Sequence, residues 1–414
     1  MKGNLIIENA LVVTPIGRSG IPGLEMGKLT QLPNSYIVIK DGFINYIGDK
    51  DKLPHIKDIE NYDFLDVKGN VVLPGFVDSH THLIFGGFRP DEFEWRLKGD
   101  SYMSIMERGG GIQSTVNATK EASEEDLYKK ALWFLKRMSE MGVTTVEAKS
   151  GYGLDFETEL KMLNVIKRLQ EDPDINVEII ATFLGAHAVP LEYKGNPGAY
   201  VDYLIEMLPQ FAGKAKFCDV FCEKNVFEIE DSRRLLQAAK ENGFQIKLHA
   251  DEIVQLGGAE LSAELKAVSA DHLLHVSDMG IKRMSEEGVI ATLLPLTAFA
   301  LREPYAPARK FIDANCIVAL ATDLNPGSCF SGSIPLTIAL ACIYMNMTVE
   351  ETITALTLNG AAALGIADET GSIEVGKRGD LVVLESNNYK ILPYYVGMNC
   401  VGKTIYKGNI VNNE

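Results

Sequence analysis

GFVDSHTH (75–82) places two histidines, His80 and His82, at the end of a strand-length apolar run. Seven further runs of similar length follow: VTTVEA (143–148), VEIIATFL (177–184), CDVFC (218–222), QIKLH (245–249), VSADH (268–272), VIATLL (289–294) and CIVALATD (316–323). Amphipathic stretches lie between most of them. Examples are EEDLYKKALWFLKRMSEMG (124–142) and DSRRLLQAAKENG (231–243), the latter ending at a glycine stop signal. Eight short runs alternating with helical patterns predict an α/β fold, a parallel (β/α)8 TIM barrel.

Outward from this region the rhythm changes. The segments LIIENALVV (5–13), YIVIKDGFINYIGD (36–49) and FLDVKGNVVLPG (64–75) are β-rich. Asp41-Gly42 and Lys68-Gly69 separate alternating stretches as hairpin turns do. The C-terminal stretches GSIEVGKRGDLVVLES (371–386) and GKTIYKGNIV (402–411) read the same way. A small β-sandwich domain built from both termini, residues 1–70 and 370–414, is expected around a barrel domain of residues 71–369.

The chain has 414 residues, 46% of them hydrophobic, which suits a large barrel with an appended domain. A net charge of −16 argues against broad nucleic-acid binding, which needs a basic surface. An anionic small molecule is still compatible, because one arginine in a pocket outweighs a diffuse field. The six cysteines (218, 222, 316, 329, 342 and 400) form no CxxC pair and fit a reducing compartment. MKGNLIIENALVV is a poor signal peptide. The apolar run from Ile334 to Met345 contains Thr337, is too short to span a bilayer and reads as a buried helix. A soluble, cytoplasmic protein with no membrane or nucleic-acid partner is expected.

The seven histidines are few enough to weigh singly. Side chains at i and i+2 of a strand share a face, so His80 and His82 can reach one ion. An isolated HxH arises readily by chance; the recurrence of His249, His272 and Asp323 at the ends of the fifth, sixth and eighth runs does not. Barrel enzymes collect their working groups at the C-terminal strand ends, so these positions converge on one mouth. Zinc or iron suits such nitrogen and oxygen ligands. His55 lies in the N-terminal β region and reads as structural. His275, a helical turn beyond His272, reads as a supporting or core residue. Asp271 points the other way along a strand and is left out.

With PGFVDSHTH, the later His and Asp positions, the split β region and GSIEVGKRGDLVVL, the whole chain resembles the amidohydrolase superfamily. The resemblance implies that His80, His82, His249 and Asp323 bind metal, and that His272 sits beside the activated water or the substrate. Two-metal members bridge their ions with a carboxylated fourth-strand lysine. Here Lys224 falls past the fourth run and Lys149 follows the second, so one divalent ion, zinc or iron, is expected.

Longer stretches narrow the resemblance: HTHLIFGGFRPDEF, ERGGGI, EAKSGYGLD, FLGAHAVP, KLHADE and TDLNPGS. They resemble the ring-opening hydrolases of histidine degradation. That likeness implies hydrolysis of imidazolone propanoate to N-formimidoyl-glutamate, by a water whose pKa a bound cation lowers from 15.7 towards roughly 7. It implies Glu252 as proton shuttle and substrate contact, Asp323 as a partner in base catalysis, and His272 as the group that polarises the carbonyl. Arg89 would bind the propanoate carboxylate through a bidentate fork. Tyr152 and His187 would line the ring or its carboxylate, and Asn325, Gly327 and Ser328 would add hydrogen bonds. A homodimer is implied by the same likeness. A cytosine- or guanine-type aminohydrolase would share the metal ligands but has no need of Arg89. A non-catalytic metal-binding barrel would not be expected to keep Glu252, His272 and Asp323 together.

Overall fold

The computed structural model describes residues 3–100, 104, 108 and 110–411; of the stretch ERGGGI, Glu107 and Gly109 lie outside the described residues. Five strands open the chain: β1 (Leu5–Thr14), β2 (Thr30–Lys40), β3 (Phe43–Gly48), β4 (Asp63–Asp66) and β5 (Val71–Pro74). Eight follow through the middle: β6 (Phe76–Asp78), β7 (Val143–Lys149), β8 (Glu178–Ala186), β9 (Phe217–Cys222), β10 (Gln245–Ala250), β11 (Ser269–His272), β12 (Ile290–Leu293) and β13 (Val318–Leu320). The last three are β14 (Leu381–Leu384), β15 (Val401–Tyr406) and β16 (Asn409–Ile410).

Strands β6 to β13 pair in sequence order, each parallel to the next. Helices return the chain between them, as right-handed parallel crossovers require. The helix Glu124–Glu140 shows how the sequence specifies one. Ser123 and Asp126 form a capping box, and Leu127, Ala131, Phe134, Leu135 and Met138 line one buried face. The chain then turns at Gly142, whose φ of +90° suits a residue without Cβ. The first and eighth barrel strands are much shorter than their apolar runs. No strand ladder joins β6 to β13; a single bridge between Thr81 and Leu324 closes the circle beyond their ends.

The expected sandwich is one continuous eight-stranded sheet, ordered β16-β15-β14-β5-β1-β2-β3 with β4 beside β1. Asp41-Gly42 does turn a hairpin, with both residues at positive φ and Lys40 opposite Phe43. Lys68-Gly69 has the same positive φ values but makes no hairpin. The strands on either side, β4 and β5, each run parallel to β1 instead of pairing with each other. Asn9, at φ +57°, kinks β1 between the two partners. Leu5, Ile7, Ile37, Ile39, Ile44, Leu381 and Ile405 form the core of this sheet.

Arg378 ties the sheet to the barrel. Its guanidinium donates to Thr145 Oγ1 on β7 and to Glu178 Oε2 on β8, both at 3.1 Å, and pairs with Asp380 at 2.7 Å. These contacts lie at the N-terminal strand ends, which in this architecture serve stability rather than chemistry. The run starting at Ile334 forms the helix Ile334–Tyr344, buried along most of its length. Among the described residues no helix is long and apolar enough to cross a membrane.

Candidate active site

Two backbone hydrogen bonds shut the barrel at its C-terminal mouth. Asp323 N–H donates to His80 O at 3.0 Å, and His82 N–H donates to Leu324 O at 2.9 Å. The same bonds set three expected ligands side by side. His80 Nε2 and His82 Nε2 each lie 3.5 Å from Asp323 Oδ1. From β10, His249 brings its Nε2 to 3.3 Å from His82 Nε2. Donor atoms of His80, His82 and His249 lie within 4.8 Å of one another, as do those of His80, His272 and Asp323. All five side chains are buried.

Buried polar atoms are normally hydrogen-bonded. Here His80 Nε2 and Asp323 Oδ1 have no hydrogen-bond partner, although each faces the cluster. Burial above all, then neighbouring positive groups, keeps the pKa of His80, His82 and His272 well below the ordinary histidine value, so their rings are neutral, the form that binds metal. His249 differs: burial opposes its charge, but the Asp219 carboxylate raises its pKa. Three imidazoles and one carboxylate at this spacing fit a divalent metal ion.

The expected ligands are held from beneath. Asp271 Oδ2 lies 2.6 Å from His80 Nδ1, and Asp219 Oδ2 lies 3.0 Å from His249 Nδ1. The His80 hydrogen bond favours the tautomer whose Nε2 faces the cluster, and the Asp219 carboxylate stands at ion-pair distance behind His249. Thr297 donates to the outer oxygen of Asp323 at 2.6 Å. Asp271 therefore belongs to the site, against its exclusion on strand alternation. The strand ends at His272, whose φ of +76°, followed by +61° at Leu273, twists the backbone out of the pleat. Asp271 thus faces the barrel interior while His272 still reaches the mouth. Lys149, read as lying after the second strand, is its last residue and fully buried. Lys224 does fall past its strand and is exposed.

The rim carries the other expected residues. Glu252 follows β10, with Oε2 at 3.5 Å from His272 Nε2. Burial first, and Asp323 second, push its carboxyl up to about 8. Its loop is shaped by two neighbouring carboxylates. Asp251 accepts N–H bonds from Leu256, Gly257, Gly258 and Ala259, and Glu223 accepts from Ile253 and Val254. His187 stacks on His82 at 4.7 Å, its Nδ1 lies 3.1 Å from Gly151 O, and the Tyr152 ring lies 5.0 Å away. Burial lowers the His187 pKa to about 3. Glu159, accepting from Gly151, Gly153 and Leu154, fixes the loop that carries Tyr152.

Arg89 precedes the helix Pro90–Leu97, and its buried Nε has no partner. A Cβ at Gly327 would lie 2.1 Å from Arg89 Nη2, so the guanidinium occupies the space that this glycine leaves. Asn325 Oδ1 accepts from the N–H groups of Gly327 and Ser328, and Asn325 Nδ2 donates to Asp323 O and Ser328 Oγ. These three residues build the turn that walls the site beside Arg89. His55 is exposed on the loop before β4, and half-buried His275 donates its N–H to Asp251 O.

The amidohydrolase family profile matches residues 71–411. The chain belongs to the amidohydrolase family. It is 63% identical to an imidazolonepropionase of Phocaeicola vulgatus, covering 100% of both chains. It is 56% identical to an imidazolonepropionase of Clostridium tetani, over 99% of this chain and 98% of that one. Among solved structures it superposes on a zinc-bound adenosine deaminase from Xanthomonas campestris with a TM-score of 0.70 at 18% identity, covering 98% and 92% of the two chains. A 5-methylcytosine deaminase from Klebsiella pneumoniae gives 0.73 at 16% identity, covering 99% and 98%. At such low identities the likeness is one of fold.

In this amidohydrolase, Glu147, Asp219 and Lys247, which the sequence did not single out, lie with Lys149 and the excluded Asp271 buried beneath the expected ligands. A signal for them does exist. Each is a charged residue inside an apolar strand run or at its end, where burial requires a partner. Thr297 and Glu223 carry no comparable mark.

Proposed function

We propose that the protein hydrolyses the ring amide of 4-imidazolone-5-propanoate to N-formimidoyl-L-glutamate, a ring-opening step of histidine degradation. Full-length identity of 63% with an imidazolonepropionase carries this reading, and the site supports it. His80, His82, His249 and Asp323 would hold one divalent ion, zinc or iron. Such an ion supplies Lewis-acid activation of water and of the ring carbonyl. Glu252 takes a proton from the attacking water and returns it to the ring nitrogen as the C–N bond breaks. His272, within 3.5 Å of Glu252, faces the carbonyl oxygen and steadies the charge that develops there. Asp323 shares the base role through the oxygen that faces the cluster. Arg89 forks onto the propanoate carboxylate, Tyr152 and His187 flank the ring, and the Asn325–Gly327–Ser328 turn encloses it.

The catalytic unit is the barrel of residues 71–369, less β5 (Val71–Pro74), which belongs to the supporting sheet from both termini. Free thiols at all six cysteines support a cytoplasmic location. Ile343 and Tyr344, with Tyr394, Val396 and Met398 on the neighbouring segment, form exposed apolar surface that supports a homodimer. The purified protein should abolish the ultraviolet absorbance of imidazolone propanoate without releasing ammonia. Ammonia release from cytosine or guanine, with the imidazolone untouched, would replace this substrate with that of an aminohydrolase.

A further inference from the structure

Below the candidate ligands lies a layer of charge sealed from solvent. Lys149 Nζ stands 2.7 Å from Asp219 Oδ2 and 2.9 Å from Glu147 Oε2, with Asp271 Oδ2 at 3.9 Å. Lys247 Nζ donates to Ser79 O at 2.9 Å and to Glu147 Oε1 at 3.1 Å, and lies 3.6 Å from Asp271 Oδ2. All five ionisable side chains are 0% exposed. Such groups cost several kcal/mol each to desolvate, and apolar residues often serve stability as well. Their retention points to a task other than stability.

The geometry indicates the task. Asp219 meets both His249 and Lys149 through Oδ2, and Asp271 meets both His80 and Lys149 through Oδ2. Among the described residues, Lys149 is the one ammonium group within ion-pair range of both carboxylates. We propose that Lys149 is a positioning residue: its ammonium clamps Asp219 and Asp271 so that His249 and His80 keep Nε2 turned toward the metal. The inference rests on reading His80, His82, His249 and Asp323 as a metal site.

The sign of one measurement separates this role from plain electrostatics. Deleting a buried positive charge near a cation should strengthen cation binding by Coulomb's law. Loss of a clamp should weaken it. Lys149→Met keeps the length and removes the charge. In chelator competition with Co2+, its affinity should fall about 10- to 100-fold, the usual effect of losing a partner behind a ligand. The cobalt d–d bands should shift as the imidazoles turn. In an Asp219→Asn background, Lys149→Met should add less than about twofold, since both act through one contact. Affinity that is unchanged or tighter with a wild-type cobalt spectrum, or full additivity, overturns the proposal. Circular dichroism of the metal-free protein monitors folding. Should Lys149→Met not fold, Asp219→Asn and Asp271→Asn each test one arm, and wild-type Co2+ binding in both overturns the clamp. A wild-type protein that takes up no Co2+ overturns the metal site itself; a loaded wild type with an indifferent variant overturns only the role of Lys149.

Discussion

Glu252 carries its proton far above the usual carboxyl range, and the sign of that shift makes a prediction. In the metal-free protein its pKa is about 8, raised chiefly by burial and then by Asp323, against about 4.3 unfolded. The folded state therefore binds the proton more tightly. The stability from this group is fully present below the unfolded value and is lost as pH rises through 8. Melting temperatures of metal-stripped wild type should accordingly fall relative to Glu252→Gln between about pH 5 and 8. With metal bound, Glu252→Gln should lower kcat by about 10²- to 10⁴-fold while elemental analysis finds the metal still in place. Gly327→Ala tests the other end of the site. Its new methyl group would displace the Arg89 guanidinium, so KM for imidazolone propanoate should rise at least about tenfold with kcat little changed, as for Arg89→Met. A wild-type KM in Gly327→Ala would separate Arg89 from the carboxylate.

At the scale of elements, the loop after β10 depends on one side chain. The Asp251 carboxylate accepts four backbone N–H groups, and Asp251→Ala leaves them without it. A loss of about 3 kcal/mol is expected in urea unfolding, with kcat falling because Glu252 rides on this loop. The barrel strands themselves were legible because each apolar run is bounded by helical or turn sequence. Their ends were less so. GFVDSH and CIVALATD promise longer strands than form, since the chain leaves the ladder where His80 and Asp323 must turn inward. Lys68-Gly69 gave the right turn but the wrong pairing, because local dihedrals do not choose a partner strand. The convergence of His80, His82, His249 and Asp323 on one mouth was legible from their recurrence at run ends. Asp271 could not, because the positive φ at His272 breaks the alternation on which that reading depended.

At the scale of the molecule, Arg378 joins two structures that the chain order separates. Its guanidinium is nearly buried and meets Asp380, Glu178 and Thr145 at once. Arg378→Ala would remove the charged partner of the buried Asp380 and open the junction, at a cost of about 3 kcal/mol. Thermal unfolding should report it as a lower Tm while KM stays at the wild-type value, because the junction lies across the barrel from the mouth. A changed KM with an unchanged Tm would contradict this division of labour.

The closing bridge at the mouth has a consequence for how the protein is made. Asp78 accepts hydrogen bonds from Thr322 across 244 residues of sequence, and His82 meets Leu324 just beyond. A nascent chain holds His80, His82, His249 and Asp323 together only once residue 323 has been made, so most of the polypeptide must leave the ribosome before the mouth can assemble. Assembly of the mouth is thereby a late step of biogenesis. Contacts so distant along the chain are slow to form, and the cell has to keep an open barrel from aggregating until its last strand docks.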